Sequence, residues 1–129
     1  MDDNPGTSWA VSWDPESSRI YLRLTGRLTV ESAEASTARF LELAGTHEFA
    51  LVAELGSVEG YERRAREIWG DAFARTRRQM QTAHLVGLRP VFRMAAATVC
   101  LATGIRAKFY EELREVPGAP WRLDEAANG

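Results

Sequence analysis

Side chains able to perform covalent or acid–base chemistry are few in this chain and far apart. It holds two histidines, His47 and His84, and one cysteine, Cys100. These three cannot build a structural zinc site, and a single thiol cannot close an internal disulfide. His84 sits in an apolar run that reads as a strand, and His47 flanks a loop. Histidines so placed more often complete or border a core than act as bases. Neither has an acid or a nucleophile at motif spacing. Gly56-Ser57-Val58-Glu59-Gly60 follows a predicted strand and precedes a predicted helix, which is where a phosphate loop would stand. It lacks the Lys-Ser/Thr pair, and Glu54, Glu59 and Glu62 would repel phosphate, so a pair of turn glycines is the simpler reading. Glu111, Glu112 and Glu115 cluster where carboxylates suit the first turns of a helix. Cys100, between Val99 and Leu101, reads as a small hydrophobe. The expectation is a protein that is not an enzyme, with no catalytic residues, no metal and no cofactor.

The elements around these residues belong to an ordinary globular domain. The chain has 129 residues, 45% apolar and 26% charged, which excludes disorder and gives enough length to bury a core. Acidic residues 1–20 and the lack of a long apolar run predict no signal peptide and no stable membrane insertion, hence a cytoplasmic protein. The net charge of −2 divides unevenly: residues 1–62 carry −7 and residues 63–129 carry +5. Arg63, Arg64, Arg66, Arg75, Arg77 and Arg78 crowd one segment, but Glu62, Glu67 and Asp71 interleave at helical spacings. That pattern predicts a solvated, ion-paired helix face and no nucleic-acid partner.

Hydrophobic periodicity places the elements. Trp9, Val11 and Trp13 alternate with small residues, a turn follows at 14–18, and Ile20, Leu22 and Leu24 alternate again, giving a β-hairpin. Thr29 can cap a helix over 29–44 that Gly45 stops. Residues 49–54 form a short apolar strand. Gly60 opens a helix over 61–78, residues 83–87 make a strand, and Pro90 and Gly104 bracket a helix over 91–103. Residues 106–109 form a last strand and 111–116 a weak helix. The reading is an α/β fold: a mostly parallel sheet of about five strands with an N-terminal hairpin and three to four helices against its faces. It assigns 1–7 to a disordered N-terminus, 8–116 to a single domain and 117–129 to a C-terminal tail. Trp9, Trp13, Leu22, Phe40, Leu51, Ile68, Phe73, Leu85, Leu101 and Phe109 are predicted to be largely buried.

The hairpin, the run Leu51-Val52-Ala53-Glu54-Leu55-Gly56-Ser57-Val58-Glu59-Gly60-Tyr61, the helix after it and the βαβ ending resemble a STAS domain, in the SpoIIAA-like, CRAL-TRIO-related branch. Glu54, Val58, Tyr61 and Glu62 match that family's pattern. Where its bacterial anti-sigma-factor antagonists place a phosphoacceptor serine, this chain has Arg63, with Arg64 beside it and Ala65 in a glycine position. The resemblance implies a regulatory or scaffold module acting through protein–protein contacts, without the serine switch. It implies partner binding at Gly60, Tyr61, Arg63, Arg64 and Arg66, toward an acidic protein surface. Kinship with CRAL-TRIO proteins implies the alternative, binding or sensing of a small apolar or lipid-like ligand.

The helix over 91–103 carries two apolar stripes and one charge, Arg93. Met94, Ala95, Thr98, Leu101 and Ala102 are expected to pack on the sheet. Phe92, Ala96, Val99 and Cys100, with Thr103, would then face outward for self-association as a homodimer or for ligand capture.

Overall fold

The structure, a computed structural model, describes residues 7–118. It has β1 (Thr7–Asp14), β2 (Arg19–Leu28), α1 (Val30–Ala44), β3 (Phe49–Tyr61), α2 (Arg63–Thr76), β4 (Met80–Val86), α3 (Pro90–Thr103) and β5 (Ala107–Tyr110), then a 3₁₀ turn at Leu113–Glu115. Local chemistry sets the helix ends. Thr29 accepts the Ser32 N–H in a reciprocal capping box and so begins α1. Pro90 occupies the first turn of α3, and Gly104, at φ 77°, ends it in the left-handed conformation. The expected disordered start and most of the expected tail (1–6 and 119–129) lie outside the described residues.

The five strands lie in chain order, β1-β2-β3-β4-β5. β1 and β2 are antiparallel and the other three pairings are parallel. Every crossover from β2 onward steps the same way across the sheet, so right-handed connections put all three helices on one face. The side chains agree. Ile20, Leu22, Leu51, Ala53, Ala83 and Leu85 share one core with Phe40 of α1, Trp69 and Phe73 of α2, and Cys100 of α3. Phe40 is fully buried, with ring centroids 5.3 Å from Trp69 and 5.7 Å from Phe49. The opposite face buries Ala10, Tyr21, Val52 and Val86 under Leu113, Tyr110 and Val116. Helices were expected on both faces; the strand order places them on one. Among the described residues no helix is long and apolar enough to cross a membrane.

Two local expectations are corrected. β3 does not stop at Glu54 but continues to Tyr61, held by parallel pairing of Ser57 with Thr25 and Tyr61 with Leu28 on β2. α2 therefore begins at Arg63, and Gly60 is a strand residue. The second correction is the rotation of α3. Leu101 is 83% exposed and Met94 75%, whereas Phe92, Ala96, Val99 and Cys100 turn toward the core. Of the residues predicted to be buried, Leu22, Phe40, Leu51, Phe73 and Leu85 are so; Trp9, Trp13, Ile68 and Phe109 are half-buried.

Candidate functional site

The inward turn of α3 creates a cleft. α2 and α3 lie side by side over the C-terminal halves of β2, β3 and β4 without closing on each other. The space left is about 130 Å3, and its lining contributes only apolar surface. The sheet supplies Leu22, Leu24, Leu28, Ala53, Leu55, Val58 and Leu85 as the floor. α2 supplies Trp69, Gly70 and Phe73, and α3 supplies Phe92, Ala95, Ala96 and Val99. Small residues explain the gap. Gly70 presents bare backbone, and a Cβ built there would only reach ordinary contact with Val99 Cγ1 at 3.8 Å. Ala95 and Ala96 face it with single methyl groups. Cys100 is the only fully buried residue of α3, so this helix is the lightly held wall. Tyr61, from the end of β3, stands against Phe92 with ring centroids 5.6 Å apart, and Arg66 lies at the lip.

Both sets of residues singled out in the sequence thus meet at one place. Tyr61 and Arg66 come from the set assigned to a partner, and Phe92, Ala96 and Val99 from the set assigned to self-association or a ligand. The latter stripe is corrected in its facing: Phe92, Ala96 and Val99 are half-buried and pack on the core side of α3, where an outward-facing stripe was expected. Cys100 lies deeper, and burial pushes its thiol above the usual range, which keeps it protonated and inert. Gly70, Leu55, Leu88 and Ala95 went unread in the sequence as parts of a site. A lone glycine inside the helical stretch between Trp69 and Asp71 was the available signal.

The remaining partner residues form a separate cationic surface at the start of α2. Arg63 and Arg64 are exposed and share one acid: Arg63 Nε is 3.6 Å from Glu67 Oε2, and Arg64 Nη1 is 3.3 Å from Glu67 Oε1. No acidic residue occupies the first turn. The surplus of positive charge therefore adds to the positive end of the helix dipole. Glu62, just before the helix, is already engaged, because its Oε1 accepts the Val30 N–H at 2.8 Å. Gly60 packs against Arg27, whose Nη1 lies 3.2 Å from the position a Cβ would take.

The other reactive side chains are occupied structurally. His84 lies on the helix-free face, where Nδ1 is 3.0 Å from the Tyr110 hydroxyl. Burial, then the positive charges of Arg19 and Lys108, hold its pKa below the ordinary value of 6.5. His47 stacks on Trp13 with centroids 4.5 Å apart. Glu115 accepts the backbone N–H groups of Glu111 and Glu112 at 3.0 and 3.2 Å and so caps the final turn. Among the described residues no cluster of three or more His, Cys, Asp or Glu side chains could hold a metal ion. Gly56 belongs to β3 and abuts Gly87 rather than opening a phosphate loop.

No family model matches the chain, and no curated protein matches it. A solved structure does: an uncharacterized protein of the DUF3478 family with a SpoIIAA-like fold, from Shewanella loihica PV-4. The two superpose with a TM-score of 0.70 over 98% of this chain and 99% of the other, at 16% sequence identity. The chain has a SpoIIAA-like fold.

Proposed function

We propose that this SpoIIAA-like domain is a non-enzymatic binding module whose cleft between α2 and α3 takes up a small apolar ligand. The observation that carries the reading is the lining: a space of about 130 Å3 with no polar surface, opening beside an exposed arginine. An apolar cavity of about 150 Å3 accepts benzene or xenon. The inserted group is therefore the size of one aromatic ring or a short branched alkyl chain, not a whole lipid. Arg66 at the lip favours a ligand whose other end is anionic. Native mass spectrometry of freshly purified protein tests this. A bound small hydrophobe that is lost from an Ala96→Phe variant supports the reading; a bare chain that also fails to bind toluene or hexanoate contradicts it.

A second reading rests on a different observation, the excess of exposed arginine at the start of α2. An acidic protein surface docking on Arg63, Arg64 and Arg66 would make the domain a regulatory or scaffold module. With Arg63 in the place of the phosphoacceptor serine, that contact would not be gated by phosphorylation there. Charge complementarity of this kind sets association rate and partner choice. A pull-down with wild type and with the Arg63→Glu, Arg64→Glu double variant distinguishes specific capture from none.

A further inference from the structure

The sheet ends in two edges of unequal character. β5 is four residues long and carries Lys108, and both features discourage pairing with another chain. β1 is eight residues long, Thr-Ser-Trp-Ala-Val-Ser-Trp-Asp, with no proline and no lysine. It runs in unbroken register with β2 from Thr7 to Asp14, without a bulge. Its outer side pairs with no other strand among the described residues. Proteins normally blunt such an edge with proline, lysine, a bulge or shortness, and β1 has none of these.

About Val11 the two tryptophans of β1, Trp9 and Trp13, stand at mirror positions, with Ala10 against Ser12 and Ser8 against Asp14 as the other mirrored places. In an isologous twofold interface residue i meets residue j of the second copy and j meets i, so each mirrored pair is formed twice. We infer that β1 pairs antiparallel with β1 of a second copy of this chain about a twofold axis at Val11, joining two sheets into one of ten strands. The facing fixes the register. Trp9, Val11 and Trp13 all pack toward the helix-covered core, so odd-numbered residues must oppose odd-numbered ones for the two helix layers to share a side. Centring on Val11 sets each Trp9 opposite the second copy's Trp13, two aromatic pairs between half-buried rings. It also sets Ser8 opposite the second copy's Asp14, twice. A β1–β5 contact would instead be heterologous and open-ended, and Lys108 and the shortness of β5 oppose it.

The test is analytical ultracentrifugation of the full chain with charge variants at Ser8, an exposed position where neither variant disturbs the core. Ser8→Asp sets two like-charge pairs against Asp14 and should raise the dimer dissociation constant about fivefold; Ser8→Lys should lower it about fivefold. Spin labels at Ser8→Cys, in a Cys100→Ala background, should lie about 20 Å apart at the backbone, six residues along the paired strands. A chain that stays monomeric at every concentration overturns the inference. So does a dimer indifferent to the sign of charge at position 8, or one whose labels are more than 35 Å apart.

Discussion

Replacing Ala96 with leucine asks whether the space between α2 and α3 is truly vacant. Ala96 lines the cleft from α3, and Gly70 and Trp69 line it from α2. Leucine adds three carbons, and each buried methylene contributes about 0.8 kcal/mol, so complete burial would give about 2.4 kcal/mol. Ordering the longer side chain costs about 0.5–1 kcal/mol, and imperfect fit takes more. A net stabilisation of about 1 kcal/mol remains, raising Tm by roughly 3–6 °C for a chain of this size. The opposite sign follows if the helices are already close-packed, because an extra isopropyl group in a full core destabilises by about 1–3 kcal/mol. Calorimetry with matched urea unfolding reads the sign directly. A lowered Tm with unchanged structure would refute the cleft as vacant space. A raised Tm together with lost toluene binding would identify that space as the site.

Other outcomes follow from other parts of the fold. Gly87→Ala should cost about 2 kcal/mol or more by urea unfolding, because φ is +82° and the new Cβ would lie 2.8 Å from the Gly56 Cα. His84 has a lowered folded pKa, so protons favour the unfolded chain: stability should be full above pH 6.5 and fall as pH drops below it. A His84→Gln variant, compared by urea unfolding between pH 7.5 and 5, should lose that part of the slope. Phe40→Ala should cost about 3–5 kcal/mol, since its fully buried ring touches those of Phe49, Trp69 and Phe73. The Arg63→Glu, Arg64→Glu variant should unfold within a few tenths of a kcal/mol of wild type. Its lost pairs with Glu67 are exposed, and the new carboxylates suit a helix start.

What the sequence revealed and what it hid have distinct physical causes. The hairpin, the capped start of α1 at Thr29, and the proline and glycine bracketing α3 are local signals, and the structure keeps them. The full length of β3 was hidden because beyond Glu54 it pairs with β2 alone and is solvated, so residues 56–60 look like a loop. Placing helices on both faces failed because side assignment depends on strand order, which no local pattern encodes. α3 is the instructive case. Periodicity showed two apolar stripes but could not say which meets the sheet. The rotation is set by tertiary partners: Phe92 against Tyr61, and the Arg93 guanidinium 5.5 Å over the Phe109 ring. Choosing the stripe with Leu101 and Met94 inverted the helix and hid the cleft that the other stripe lines.

The central claim is that a small apolar molecule enters between α2 and α3, and methyl NMR with toluene as the probe tests it most directly. Leu24, Val58, Leu85 and Val99 line the cleft from four elements, while Leu101 and Val91 project into solvent from the far side of α3. Saturable shifts confined to the first group, with Leu101 and Val91 silent, are the predicted result. Shifts at Leu101 and Val91 alone, or none that saturate, would contradict it.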